Sequence, residues 1–183
     1  MTSVLRPRGG TVWLTGLPCA GKSTVAETVA ALLAERGREV EILDGNAVRQ
    51  ELTADLGFSK EERNENVRRI GWLATLLARH GVTVLVPVIA PYAEARRAVR
   101  ERHTAEGLVY LEVHIATPLD VCASRDVRGL YARQARGEMS GLTGVDDPYE
   151  VPIDPELRLD TSTQSVGESA AAVAALLGEW GLG

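Results

Sequence analysis

Residue types that cross-link a fold or hold a metal are scarce in this chain. It has two cysteines, Cys19 and Cys122, and three histidines, His80, His103 and His114. The cysteines are too few and too far apart in sequence for a disulfide framework, and we expect them to stay reduced, as in a cytosol. The histidines do not have the spacing of metal ligands. The sequence therefore supports neither a disulfide-bonded secreted domain nor a histidine-ligated metal centre.

Long apolar runs and an excess of positive charge are also absent. No apolar run approaches the roughly 18 residues of a membrane span, and the basic segment 1–10 lacks the apolar stretch of a signal peptide. The formal net charge of −5 gives no electrostatic support for general nucleic-acid binding. We therefore expect a cytoplasmic protein with no membrane and no nucleic-acid partner.

What the chain does contain is typical of one globular domain. The 183 residues are 45% hydrophobic and 25% charged, which is an ordinary balance for a folded protein. This length is enough to bury a substantial core. We expect a single domain over residues 1–183.

The clearest motif is the segment Gly16–Thr24, which fits the phosphate-loop pattern G-x-x-x-x-G-K-[ST]. An apolar strand signal precedes it and a helical pattern follows it, which is the context that the motif requires. Backbone N–H groups and the start of the helix then form a cradle for anions. We interpret Cys19 as a small residue suited to the tight turn, with a redox role as the alternative. The residues predicted to contact nucleotide phosphates are Gly16, Ala20, Gly21, Lys22, Ser23 and Thr24.

Strand and helix signals alternate along the chain. The predicted strands are 11–15, 40–43, 82–89, 108–115 and 157–160. The predicted helices are 22–36, 47–53, one from the N-cap Ser59 to Gly81, 91–102, 118–124 and 165–180. This order predicts an α/β P-loop fold, with a parallel five-stranded sheet covered by helices on both faces. Residues 127–150 have weak periodicity, and we expect them to form a helical, mobile lid.

Ligands of such sheets gather at the carboxyl ends of the strands. The loops 16–24, 44–49 and 89–92 all follow predicted strands, so we expect them to face one another. This convergence predicts one site that combines the phosphate loop with polar residues from the other two loops.

The chain resembles the adenylylsulfate kinases, which use ATP to phosphorylate the 3′-hydroxyl of adenosine 5′-phosphosulfate (APS). The resemblance runs from about Thr11 to about Pro155. Its segments are Leu43–Gly45 with Val48-Arg49, Leu56–Ser59, Arg63 with Glu65–Arg69, Ile89–Tyr92, Val121-Cys122 with Arg125-Asp126, Gly129–Tyr131, and Thr143–Asp146 with Pro148–Glu150. It implies a P-loop kinase with a lid, ATP and Mg²⁺ as cofactors, a small-molecule substrate and a possible homodimer.

The resemblance also implies roles for individual residues. Asp44 and Lys22 are the expected catalytic residues, with Asp44 acting as a base or orienting a Mg²⁺-bound water. The alternative for Asp44 is a turn-forming Asp-Gly pair. Ser23 and Asp44 are the expected metal ligands, and Arg125 is expected beside the ATP.

Arginine and aromatic side chains are expected to hold the substrate. Arg49 and Arg63 resemble residues that grip the phosphosulfate, since a guanidinium binds such anions in a planar, bidentate way. Phe58 resembles one side of an adenine clamp, and its alternative is a core anchor. Arg69 is expected in a surface or salt-bridge role. The substrate-binding residues implied are Asn46, Arg49, Phe58, Arg63, Asn66, Ile89, the lid residue Arg133, and Leu142.

Two departures from the family pattern bear on the acceptor. Asn46 stands where the family usually has a second aspartate, and Leu142 stands where it has the second aromatic of the adenine clamp. These departures leave open a second hypothesis, a kinase of the same type acting on a hydroxyl of a sugar, a nucleoside or an aminoglycoside-type natural product. A third hypothesis is a non-catalytic nucleotide-binding protein.

Overall fold

The computed structural model describes residues 9–183. Segment 1–8, most of the stretch predicted to lack a signal peptide, lies outside the described residues. Five strands form one sheet in the order β2-β3-β1-β4-β5, and every pair is parallel. The strands are β1 (Gly10–Thr15), β2 (Val40–Ile42), β3 (Thr83–Pro87), β4 (Val109–Ile115) and β5 (Leu157–Leu159). The predicted five-stranded parallel sheet is confirmed.

Seven helices connect and cover these strands in the described part of the chain. They are α1 (Lys22–Glu35), α2 (Gly45–Glu51), α3 (Lys60–Arg79), α4 (Ala93–Ala105), α5 (Leu119–Arg125), α6 (Leu130–Ala135) and α7 (Val166–Glu179). Local residues set the ends of two of these helices. The Ser59 hydroxyl accepts the Glu62 N–H in a capping box, and Gly37 adopts a φ of 70° just after α1. None of these helices is long and apolar enough to span a membrane.

Helices lie on both faces of the sheet, and each face has its own core. The core on one face contains apolar side chains of α1 and α7, such as Val29 and Val173. The core on the other face contains side chains of α3 and α4, such as Ile70 and Val99. Strand β1 serves both, because its successive side chains point to opposite faces, and all six of its residues are buried.

The position of β1 determines where the site forms. It lies between β3 and β4, so the chain builds one half of the sheet on one side of β1 and then crosses to the other. Ligands of open parallel sheets bind outside the carboxyl ends of the strands at this reversal of strand order. The loop that leaves β1 is the phosphate-loop segment 16–21.

Candidate functional site

The phosphate loop is shaped by close packing and by left-handed backbone. A Cβ on Gly16 would lie 2.4 Å from the Ile115 carbonyl oxygen, so only glycine fits there. Gly21 forms the N-cap of α1 with a φ of 100°, and Cys19 also has a positive φ, of 62°. These conformations curl the loop over the start of α1, as the motif predicts.

The loop is fixed from outside through the carbonyl of Ala20. This oxygen accepts hydrogen bonds from the hydroxyls of Thr117 (3.0 Å) and Thr161 (2.8 Å). Arg125, expected beside the ATP, donates to the Thr161 carbonyl at 2.7 Å and lies 3.5 Å from the Ala20 carbonyl oxygen. Arg125 therefore contacts the outside of the loop and helps to hold its shape.

Lys22 is buried at the first turn of α1. Its ammonium donates to the carbonyls of Gly16 (3.0 Å) and Leu17 (2.7 Å), so it lies within the curl of the loop. Burial lowers the pKa of Lys22 to about 8. A lysine with this pKa is still mainly charged at neutral pH. Because its charge is buried, a nearby anion stabilises the charged form strongly.

Ser23 and Asp44 connect the phosphate loop to the loop that follows β2. The Ser23 hydroxyl donates to Asp44 Oδ2 at 2.8 Å. Burial raises the pKa of the Asp44 carboxyl, but hydrogen bonds from the Asn46 N–H, the Ser23 hydroxyl and the Asn46 amide outweigh it, and the net pKa is lowered. Asp44 is therefore ionised at neutral pH. Thr24, the last residue of the motif, is exposed.

This pair suits Mg²⁺. A hydroxyl and a carboxylate are hard oxygen ligands, and Mg²⁺ in kinases takes one or two such groups together with phosphate oxygens and water. No group of three or more His, Cys, Asp or Glu residues that could hold a metal occurs among residues 9–183. Ser23 and Asp44 alone would not fill the coordination of Mg²⁺, so the phosphate oxygens of the substrate must supply further ligands, as in other phosphoryl-transfer sites.

Asn46 lies beside Asp44 and makes a contact that the sequence did not predict. Its backbone N–H and side-chain amide both donate to Asp44 Oδ1, at 2.9 and 3.0 Å. Its amide oxygen accepts a hydrogen bond from Arg128 of the lid segment. Arg128 lies between two segments that carry the family resemblance, Arg125-Asp126 and Gly129–Tyr131, and this position was the available sequence signal for it.

Phe58 lies on the surface beside two arginines. Its side chain is 65% exposed, so the alternative of a core anchor is wrong. The guanidinium carbons of Arg49 and Arg63 lie 4.1 and 5.5 Å from the ring centroid. Arg49 also donates to the carbonyls of Leu56 and Gly57 at 2.7 and 2.6 Å, which fixes the loop that carries Phe58.

Arg63 joins α3 to the end of the lid segment. It donates to the Gly141 carbonyl at 2.7 Å and to the Thr143 hydroxyl at 2.9 Å. Its Nη2 also lies 3.1 Å from Asp147 Oδ2, but that oxygen has no hydrogen-bond partner, so this contact is an ion pair only. Leu142, within the same loop, is buried against the core.

The remaining predicted residues are spread around this region. The Asn66 amide oxygen is buried with no hydrogen-bond partner, and the Ile89 carbonyl accepts the Thr15 hydroxyl. Arg133 is half exposed and lies 4.0 Å from Glu138, so it is not brought to the phosphate loop. The salt-bridge role expected for Arg69 is confirmed, since it pairs with Asp55 and Glu65.

A buried ion pair behind the site was also missed from sequence. Arg96 Nε lies 2.6 Å from Glu112 Oε1, and the same guanidinium donates to the carbonyls of Ala90 and Glu150, both at 2.7 Å. It therefore holds loop 89–92 and the end of the lid segment in place. The two residues belong to different elements, and nothing in the local pattern links them.

A cavity of about 510 Å³ opens between the phosphate loop and the end of the lid segment. It is lined by Leu17 and by residues 144–149. This volume is within the range of small-molecule sites.

Comparisons with known proteins agree with this geometry. The adenylylsulphate kinase family model matches residues 8–160. An adenylyl-sulfate kinase from Microcystis aeruginosa is 50% identical over 169 residues, which cover 92% of this chain and 91% of that protein. The structure of the Mycobacterium tuberculosis APS kinase CysC in complex with AMPPNP and APS is 48% identical, with a TM-score of 0.91 over 94% of this chain and 99% of that one.

A hexameric APS kinase from Thiobacillus denitrificans is similar as well. It is 36% identical, with a TM-score of 0.72 over 97% of this chain and 30% of that one. The family model covers most of the sequence, and the first two relatives match over nearly their whole length. This chain therefore belongs to the adenylylsulphate kinase family.

Proposed function

We propose that this protein transfers the γ-phosphoryl group of ATP to the 3′-hydroxyl of APS, giving 3′-phosphoadenosine 5′-phosphosulfate. The observation that carries the proposal is the hydrogen bond between Ser23 and Asp44. This bond joins the phosphate loop, which binds the donor phosphates, to the loop after β2, where the Asp44 carboxylate can contact an acceptor hydroxyl. The family membership and the APS-bound relative support this acceptor over a sugar or another natural product.

The phosphate loop binds ATP. Gly16, Ala20 and Gly21 supply the curled backbone, and the first turn of α1 supplies its N–H groups to phosphate oxygens. Lys22 exchanges its loop carbonyls for phosphate oxygens, an exchange that is favourable because the buried ammonium gains an anionic partner. Ser23 and Thr24 complete the cradle, and Arg125 supports it from outside.

In this proposal Asp44 orients the acceptor hydroxyl and does not remove its proton. A carboxylate whose pKa is lowered by three hydrogen bonds is a weak base. Ser23 and Asp44 hold Mg²⁺, which when bound neutralises charge on the transferring phosphoryl group. The carboxylate positions the acceptor hydroxyl for in-line attack on the γ-phosphorus of ATP. The new O–P bond forms as the bond to ADP breaks, and the hydroxyl proton passes late to a phosphate oxygen and then to water. This positioning supplies most of what phosphoryl transfer requires.

The substrate binds across the surface between α3 and the lid segment. Arg49 and Arg63 meet the phosphosulfate, and Arg63 must give up part of its contact with loop 141–143 to do so. The exposed ring of Phe58 stacks on the adenine, and the unpartnered Asn66 amide oxygen accepts a hydrogen bond from the substrate. Asn46 and Ile89 complete this set together with Leu142, which is 4% exposed and packs against the purine once loop 141–143 has moved.

The lid and the assembly complete the proposal. Residues 1–183 act as one kinase domain in which segment 127–150 moves as a lid, and Arg133 reaches the phosphates on closure. The protein works as a homodimer, as is frequent in the resembled family. Its reaction takes place in the cytoplasm, where ATP is available.

A coupled assay of ADP release tests the proposal. Purified protein with Mg²⁺ and ATP is measured with and without micromolar APS, and then with gluconate and an aminoglycoside as other acceptors. We expect saturable turnover only with APS, and none with a Lys22→Ala variant of unchanged circular dichroism. Equal turnover without APS, or faster turnover with another acceptor, would contradict the assignment.

A further inference from the structure

Arg128 is held by a well-defined turn between α5 and α6. Asp126 and Gly129 both adopt left-handed backbone, with φ of 24° and 66°. The Asp126 carboxylate accepts the N–H groups of Tyr131 (3.1 Å) and Ala132 (2.9 Å), which fixes the turn on the first residues of α6. The Arg128 side chain extends from this turn to the amide oxygen of Asn46.

The Asn46 amide bridges a cation and an anion. Its nitrogen donates to Asp44 Oδ1 at 3.0 Å, while its oxygen accepts from Arg128. An amide can turn by 180° within nearly the same shape, and its neighbours decide which orientation is stable. The guanidinium can only donate, so it favours the orientation in which the amide nitrogen faces Asp44. A carboxylate at position 46 has no hydrogen to donate and could not make both contacts.

The chain of contacts continues into the phosphate loop. Asp44 Oδ1 is held by Asn46, and Asp44 Oδ2 accepts the Ser23 hydroxyl. Arg128 also lies near enough to Lys22 for its positive charge to contribute, behind burial, to the lowered pKa of Lys22. Three side chains from three separate segments, those of Ser23, Asn46 and Arg128, therefore fix the direction of the Asp44 carboxylate.

We propose that Arg128 is a positioning residue that acts on Asp44 through Asn46. This inference rests on the proposed phosphoryl transfer and adds the residue that links the lid to the catalytic carboxylate. Arg128 fixes the Asn46 amide, and the amide holds Asp44 in its productive orientation.

Steady-state kinetics of Arg128→Ala give the first test. We expect kcat to fall by about 10- to 100-fold, the range for a misplaced reacting group, while KM for ATP and for APS changes by less than about threefold. Arg128→Lys keeps a donor and a charge and should recover part of the rate. The matched control is Val127→Ala, because Val127 lies on the same turn with its side chain 83% exposed. A rise in KM for ATP with unchanged kcat would overturn the proposal, since Arg128 would then be a phosphate ligand.

A double-mutant cycle with Asn46→Ala separates action through Asn46 from independent action. If Arg128 works through the amide, the double variant should lose no more kcat than Asn46→Ala alone. Losses that multiply would overturn the proposal. A uniform fall in thermal midpoint across the Arg128 variants, with rates recovering at lower temperature, would also overturn it, because Arg128 would then be merely structural.

A spectroscopic readout keeps this inference separate from the choice of acceptor. The side-chain amide signals of Asn46 in a ¹⁵N-labelled sample should shift in Arg128→Ala and stay in place in Val127→Ala. Unchanged signals in both variants would overturn the contact. If the wild-type protein does not turn over APS but the Asn46 signals still shift in Arg128→Ala, only the proposed acceptor is refuted.

Discussion

The hydroxyl of Ser23 donates a 2.8 Å hydrogen bond to the carboxylate of Asp44. This contact crosses from the start of α1 to the residue before α2, and it places a charged oxygen beside the anion cradle. Two negative charges, a carboxylate and a bound polyphosphate, cannot approach so closely without a cation between them. The pair therefore explains why a phosphate loop with this neighbour is suited to bind Mg²⁺ with ATP.

Replacing Asp44 by asparagine should separate the effect of its charge on the rate from the effect of its shape. Asp44→Asn keeps the size of the side chain but removes the charge that we propose to orient the acceptor and to bind the metal, so we expect kcat to fall by at least about 100-fold. Steady-state ADP release measures this loss. Glu51→Gln is the matched control, because Glu51 is an exposed acid at the end of α2. A variant of Asp44 with more than half of the wild-type rate would exclude a catalytic role.

The lowered pKa of Lys22 makes ATP binding sensitive to alkaline pH. Burial brings this pKa to about 8, so the free enzyme loses the ammonium charge as the pH rises through 8, well below the ordinary lysine range. Because the charged form binds phosphate, the affinity for ATP should decrease over this interval. Titration of a fluorescent ATP analogue from pH 7 to pH 9.5 measures the effect, and Lys22→Arg should remove the pH dependence. Constant affinity across this range in the wild type would contradict the burial argument.

The exposed ring of Phe58 should contribute to binding of the substrate and not to folding. Stacking on one base face is worth about 1–3 kcal/mol, so Phe58→Ala should raise KM for APS several-fold to 100-fold and leave KM for ATP unchanged. Since the side chain is largely exposed, the thermal midpoint should not change. Trp72→Ala, a half-exposed aromatic on α3, is the control for loss of a surface ring. A fall in stability without a change in KM would refute the clamp.

Local signals were sufficient to predict the fold and much of the site. The alternation of strand and helix signals and the N-cap Ser59 of α3 each depend on residues that are close in sequence, and the structure confirms both. The phosphate loop is equally local. The topology of the parallel sheet then brings loops 16–24 and 44–49 together, as the contact between Ser23 and Asp44 confirms.

Contacts between distant segments could not be predicted in this way. Arg63 matched a substrate residue of the resembled family, but its partners in loop 141–147 depend on how that loop folds back over α3. The contact between Arg128 and Asn46 spans 82 positions of sequence. No periodic pattern in the sequence predicts such pairs. The two residues belong to different elements, and the tertiary fold decides which elements face each other.

The ion pair of Arg96 and Glu112 should be worth far more than a surface pair of equal length. The N···O distance is 2.6 Å both here and between Arg68 and Glu65, but the buried side chains are 3% and 11% exposed, against 58% and 31%. Removing one partner of a buried pair leaves an unpaired charge in a poorly solvated place, whereas water replaces the lost partner at the surface.

We therefore expect Glu112→Gln to lower the free energy of unfolding by about 3–5 kcal/mol and Glu65→Gln by less than about 1 kcal/mol. Urea denaturation followed by circular dichroism measures both. The double variant Arg96→Met with Glu112→Leu tests the cause, because it removes both charges and should recover much of the lost stability. Arg96 also holds the Ala90 and Glu150 carbonyls, so this double variant should fold well and still lose kcat. Recovery of both stability and rate would show that the pair has no part in positioning loop 89–92.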